Sequence, residues 1–218
     1  MAYLAALDLQ HRAVAARQAG RVPDLLLLVE HEPVITVGRR GNRQHIVAPG
    51  DVLERLGIQV HTVERGGDVT YHGPGQLVGY PILELAGYGL GAADYMHRLE
   101  EVLLAVLADF GLAGQRRPGI IGVWIGPDKV AALGARIERG VSYHGFALNV
   151  GPNLEHYRLI VPCGISDGGV TSLERALGRP VAWAEAAERV REQFAALFAV
   201  RLESVTLQEL EGLLGDDA

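Results

Sequence analysis

Lysine is almost missing from this 218-residue chain: Lys129 is the only one, beside nineteen arginines. Arginine carries charge but cannot accept a proton near neutral pH, whereas a lysine amine can once burial or neighbours lower its pKa. Cysteine is equally scarce. Cys163 stands alone, which excludes an internal disulfide and makes a reducing cytoplasm the expected setting. No run of about 18 uncharged apolar residues occurs, so no membrane-spanning helix is expected. The N-terminal MAYLAALDLQHRAVAARQ spaces Asp8, Arg12 and Arg17 at helical intervals and lacks the order of a signal peptide. An excess of positive charge is lacking too. The net charge is −6, and from Glu203 onward five acidic residues meet no basic one, leaving 20 basic against 21 acidic residues in the body. A nearly neutral body with an acidic tail does not project the field that binds nucleic acid. Neither G-x-x-x-x-G-K-[ST] nor a helix-opening G-x-G-x-x-G is present, and His72, His144 and Cys163 lack the paired spacing of a metal site.

What is present suits a folded core: 49% hydrophobic and 21% charged residues, in a length that fits one domain spanning 1–218 with a helical C-terminal part from 181. Helical spacing over 3–19 places Leu4, Leu7, His11 and Val14 on one stripe. Residues 25–30, 34–38, 58–64 and 77–85 read as strands, with 38–50 a loop and a short helix to Leu56. The clearest helix is 93–110, through Met96, Leu99, Leu103, Val106, Leu107 and Phe110 to a stop at Gly111. Residues 119–126, the turn Gly-Pro-Asp and 129–140 form a hairpin, with 142–150 a third strand. Residues 182–198 and 206–214 are helical. Hairpins flanked by segregated helices predict an α+β fold.

Three segments can carry chemistry. RGGDVTYHGPGQ (65–76) holds four glycines, which let backbone amides approach a ligand; the same glycines also suit a tight turn between strands. Arg65, Thr70, Tyr71 and His72 beside them favour the ligand. Cys163, between Pro162 and Gly164, reads either as a small buried apolar residue or as a nucleophile. TSLE (171–174) after it fits a helix start, with Thr171 as N-cap and Glu174 completing a capping box. Such a start would favour a thiolate. Lys129 opens the strand-like KVAALGA as an edge charge or as a partly buried amine. His144 and Asn149 follow in SYHGFALNV, where a core polar role suits Asn149.

RGGDVTYHGPGQLVGYPI, GIIGVWI, KVAALGARI, SYHGFALNV and VPCGI…GVTSLE together resemble the ordered signature blocks of the lipoyl(octanoyl) transferases, the octanoyl-[acyl carrier protein]:protein N-octanoyltransferases, over roughly 30–178. The resemblance implies an α+β fold with a mixed, largely antiparallel sheet and flanking helices, similar to the catalytic domains of biotin and lipoate protein ligases. It implies that octanoyl acyl carrier protein donates its acyl group to Cys163. The acceptor then takes it from that thioester: a lysine on lipoyl domains of 2-oxoacid dehydrogenase complexes or on the glycine cleavage H protein. Lys129 becomes the partner that lowers the thiol pKa and shuttles the proton. Arg65, Gly66, Gly67, Asp68, Val69, Thr70, Tyr71 and His72 become one wall of an acyl pocket, with Ala132, Leu133, Gly134, Gly145, Phe146 and Ala147 the rest. No ATP and no metal is implied, and no nucleic acid or membrane partner.

Other readings make different demands. A lipoate or biotin ligase on the same scaffold needs ATP and no thiol. A Cys–His hydrolase needs His72 or His144 beside Cys163, and a pure binding module leaves the lone Lys and Cys without a task. Acidic carrier and lipoyl domains call for a basic docking surface, with Arg39, Arg40 and Arg43, or Arg116 and Arg117, as candidates.

Overall fold

A computed structural model describes residues 1–161 and 169–215 of the chain. In chain order come α1 (Tyr3–Gln18), β1 (Leu25–Val29), β2 (Val34–Val37), α2 (Gly50–Arg55), β3 (Gln59–Thr62), β4 (Val69–His72) and β5 (Gln76–Ile82). Then follow α3 (Ala92–Asp109), β6 (Gly114–Arg117), β7 (Ile120–Ile125), β8 (Asp128–Glu138), β9 (Val141–Asn149), α4 (Leu173–Leu177), α5 (Trp183–Phe198) and α6 (Leu207–Gly215). Six strands form an antiparallel sheet in the order β1-β5-β9-β8-β7-β6. A second sheet sets β2 between β3, parallel to it, and β4, antiparallel. This is the mixed, largely antiparallel α+β architecture that the hairpins and the family resemblance predict.

Helices cover both faces of the large sheet, so β9 is buried along its whole length. On one face Phe146 and Leu148 pack with Leu99, Leu103 and Leu107 of α3 and Phe194 of α5. The i, i+3, i+4, i+7, i+8 series Leu99, Val102, Leu103, Val106, Leu107 is fully buried, each side chain contributing about 1.5–3 kcal/mol. On the other face Val141 and Tyr143 meet Leu9, Ala13 and Val14 of α1 and Leu210 and Leu214 of α6.

Three local readings change and one strand is added. The buried side of α1 is Tyr3, Ala6, Leu9, Gln10, Ala13, Val14 and Ala16, while Leu4 and His11 are exposed. Alanines let the helix lie close to the sheet and push larger side chains to its flanks. The glycine-rich segment 65–76 is not turn throughout: Val69–His72 is a strand paired with β2, Ile35 opposite Tyr71 and Thr36 opposite Thr70. Gly114–Arg117, too polar to read as a strand, pairs with β7, and its two arginines guard an open sheet edge. The N-cap of α4 is Ser172, whose hydroxyl accepts from Arg175 N at 3.2 Å. Thr171 stands one residue before the cap, its N donating to Lys129 O, and Glu174 accepts from Val181 N rather than closing a capping box.

Candidate active site

A cavity of about 610 Å³ runs along β8 and β9. Arg65, Gly66, Gly67 and Asp68 line it from the loop before β4, and Val69, Thr70 and His72 from β4 itself; Ala132, Leu133, Gly134, Gly145, Phe146 and Ala147 line it from the first sheet. The structure thus brings the separate sequence blocks to one slot. Tyr71 is the exception. Strand alternation turns its ring into the cluster with Ile35, Leu53 and Ile58, where its hydroxyl meets His156 Nδ1 at 2.7 Å. Lys129 and Ala135 both line the slot, six residues apart on β8 and so about 20 Å from end to end.

Arg65 is a clamp for its own loop. Its Nη2 donates to Thr36 O and Asp68 O, both at 2.7 Å, and its Nε to Thr36 Oγ1 at 3.1 Å. Gly66 N donates to Ala135 O at 3.0 Å, and a Cβ on Gly134 would stand 2.6 Å from Gly66 O. The slot closes to its observed width because Gly134 has no side chain.

At one end stands Lys129. Its Nζ lies 5.0 Å from the centre of the Trp124 ring, over an indole face that attracts an ammonium. The stem passes Gly122, where a Cβ would come within 2.6 Å of Lys129 Cε. Buried Glu100 holds Gly122 in place by accepting from its N at 2.8 Å, and Arg116 Nε stands 3.1 Å from the same carboxylate. The backbone of Lys129 is tied on both sides: its N donates to Gly169 O at 3.0 Å, and Thr171 N donates to its O at 2.9 Å. Asp128 Oδ1 accepts from Gly169 N at 2.8 Å. Cys163 lies outside the described residues; the segment resuming at Gly169 is the one that Asp128 and Lys129 hold. Sequence reading missed Gly122, Trp124, Asp128 and Glu100. The Asp beside Lys129 in Gly-Pro-Asp was a usable signal, whereas Glu100 looks like any helical surface charge.

The rest of the slot carries imidazoles and phenols, from the Gln76–Asn149 pair near Lys129 to His144 opposite Ala135. His72 Nδ1–H donates to Gln76 Oε1 at 2.7 Å, because Gln76 Nε2 is committed to Tyr71 O and Asn149 Oδ1. Asn149 accepts from Tyr157 at 3.0 Å as well and donates to Thr171 O at 3.0 Å, the satisfied core role expected of it. Burial lowers the pKa of His72 to about 3, helped by neighbouring His31, and that of His144 to about 3. Both imidazoles are therefore neutral near pH 7. His144 has φ 54°, costing a residue with a Cβ about 1–2 kcal/mol. That conformation brings its ring to the α1 side, 4.9 Å from Tyr143 and 6.4 Å from Tyr80 between centroids, while its N donates to Gln10 Oε1 at 2.8 Å. His144 Nε2 is buried without a partner among the described residues, a further cost of about 1–3 kcal/mol.

Among the described residues no group of three or more His, Cys, Asp or Glu could hold a metal ion, and no helix is long and apolar enough to cross a membrane. The sequence matches the lipoyl protein ligase A/B catalytic domain over residues 2–195. A protein named octanoyltransferase from Syntrophobacter fumaroxidans is 49% identical over 209 residues, covering 96% of this chain and 92% of its own. One of the same name from Caldicellulosiruptor bescii is 44% identical over 214 residues, covering 97% and 94%. Among solved structures, lipoate-protein ligase A bound with ATP superposes with a TM-score of 0.75 at 14% identity, covering 96% of this chain and 88% of that one. That likeness extends the fold alone, whereas the match at the level of sequence spans the slot, both its walls and Lys129. The chain therefore belongs to the lipoyl protein ligase A/B catalytic domain family.

Proposed function

We propose that this chain moves an octanoyl group from octanoyl acyl carrier protein, through a thioester on Cys163, to the ε-amine of a lysine on a lipoyl domain. The observation that carries the reading is the position of the only lysine. Lys129 sits at the end of an apolar slot, and its backbone pairs with Gly169 and Thr171, just beyond the segment that contains Cys163. Relatives named octanoyltransferase, 41–50% identical, support the choice of acyl group.

The Cys163 thiolate attacks the thioester carbonyl, forming a new C–S bond. The carrier's thiol departs, taking a proton from the Lys129 ammonium. Exchange of one thioester for another is nearly thermoneutral, so no ATP is required, and no step calls for a metal. The acceptor lysine, its amine facing the acyl-enzyme, attacks the same carbon and gives its proton to neutral Lys129. Cys163 leaves as thiolate, and the amide is the more stable product. Acceptors of this kind are the lipoyl domains of 2-oxoacid dehydrogenase complexes and the glycine cleavage H protein, and the lone thiol suits a reducing cytoplasm.

Intact mass measured after mixing with octanoyl acyl carrier protein, without acceptor or ATP, tests the reading. One octanoyl adduct mapping to Cys163 is expected, discharged when a lipoyl domain is added. Full transfer by Cys163→Ala that depends on ATP would overturn it in favour of ligase chemistry.

A further inference from the structure

We propose that Glu100 is a positioning residue for the Lys129 amine, acting through the backbone of Gly122; this rests on the acyl-transfer reading above. Glu100 is buried where α3 meets β7, beside a core of Leu99, Val102 and Leu103 that an apolar residue would extend. A carboxylate is seldom buried there unless it is paired. Its two oxygens have separate partners. Oε2 faces two exposed cationic side chains, Arg116 Nε at 3.1 Å and His97 Nδ1 at 3.0 Å. Oε1 accepts from Gly122 N at 2.8 Å.

An N–H inside a sheet ordinarily bonds the neighbouring strand. Gly122 falls in a gap of both ladders. Pairing with β6 skips from Trp124–Gln115 to Ile120–Arg117, and pairing with β8 begins at Val123–Ala131 beside a bulge. Glu100 supplies the acceptor at that gap and so fixes the bulged backbone, a device that re-aims neighbouring side chains.

That backbone is the floor under Lys129. A Cβ on Gly122 would stand 2.6 Å from Lys129 Cε and 2.7 Å from Trp124 Cη2, so the stem and the indole both rest on the bare Cα. Displacing Gly122 moves both, and with them the amine that lies over the ring. A misplacement of about 1 Å costs a reacting group up to about 10²-fold in rate.

Reach and charge separate in two variants. Glu100→Gln keeps an acceptor for Gly122 N and gives up the charge, leaving Arg116 and His97 to be solvated. Glu100→Asp keeps the charge and withdraws it by one methylene. The glutamine variant should retain kcat within about threefold of wild type, while the aspartate variant loses about tenfold or more with KM for the donor unchanged. A second readout needs a folded protein and no activity. The chain has one lysine, so enrichment with carbon-13 at lysine Cε gives a single side-chain resonance, displaced by the Trp124 ring current. That resonance should hold its place in Glu100→Gln and move toward the free-lysine position in Glu100→Asp, with thermal melting verifying the fold. An aspartate variant matching wild type in both readouts, or a glutamine variant losing as much as aspartate, overturns the role of Glu100 alone. Wild-type protein that transfers no octanoyl group sinks the acyl-transfer reading, whereas the lysine resonance judges the placement independently.

Discussion

The two ends of the slot are built on opposite principles. At the Lys129 end the charged group is mobile in chemistry but fixed in place: backbone bonds to Gly169 and Thr171, a glycine beside its stem and an indole under its amine. At the His144 end the side chains, His144 and Tyr80, are titratable, yet burial holds them neutral. One end is arranged to move a proton, the other to withhold protons. The same pair of strands supports both because β8 and β9 pair in register from Ala131–Leu148 to Glu138–Val141.

The difference is broken most severely at Lys129. Lys129→Arg keeps the positive charge and the contact with Trp124 but cannot exchange its proton near neutral pH. Transfer to a lipoyl domain should fall by about 10²–10⁴-fold, with the melting temperature nearly unchanged. Single-turnover discharge of a preformed acyl-enzyme measures this directly. An arginine variant discharging at the wild-type rate would mean that the amine at this end holds charge and moves no proton.

Which end is legible in sequence follows from the same contrast. Lys129 was visible because it is unique, and the walls because glycine and alanine cluster at definable places. Strand order within the β7–β8–β9 hairpins was readable from turns and apolar runs. The support around Lys129 was not. Glu100 is one acid among several on a helix, and only the approach of α3 to the β7 bulge makes it the acceptor for Gly122 N. His144 looked like an ordinary strand residue; alternation predicts its ring on the Phe146 side, and only the positive φ moves it. The fourth strand was hidden by its glycine neighbours, since counting glycines over 65–76 obscures the alternation of Val69 and Tyr71 against Thr70 and His72.

A smaller effect sharpens the neutral end. Burial holds His72 and His144 at about 3 and His31 at about 4, against about 6.5 in an unfolded chain. As pH falls below about 6.5 the unfolded state takes up protons that the folded state refuses. Stability is therefore full above that pH and lost progressively down to the folded values. Each histidine contributes a slope of up to about 1.4 kcal/mol per pH unit in this window. Denaturant unfolding at pH 7.5, 6 and 5 should register the loss, and His144→Asn, whose side chain tolerates the left-handed conformation, should reduce the slope by about one proton. A slope identical to wild type would show that His144 is charged or hydrated in the fold.

The smallest effect concerns the approach to the charged end. Of the arginines that sequence offered for docking, Arg116 is engaged with Glu100 and Glu101, and Arg117 donates to Pro127 O at 2.8 Å and lies over Trp124. Arg39 and Arg40 differ. Their backbone N–H groups bond Arg65 O at 3.1 Å and Gly67 O at 3.2 Å, which fixes the loop, while both side chains are exposed and Arg40 reaches the slot. Reversing Arg39 and Arg40 to glutamate should raise KM for an acidic acyl carrier protein by about five- to tenfold at low salt, leaving kcat close to wild type. The penalty should shrink as ionic strength rises and vanish with a small octanoyl thioester, which has no protein surface to dock. Arg116→Glu should behave in the opposite way, lowering kcat with both donors because it frees Glu100 from its partner and loosens Gly122 beside the lysine stem. Equal losses with carrier and small thioester in the Arg39/Arg40 variant would place those arginines in the chemistry of the slot rather than on its approach.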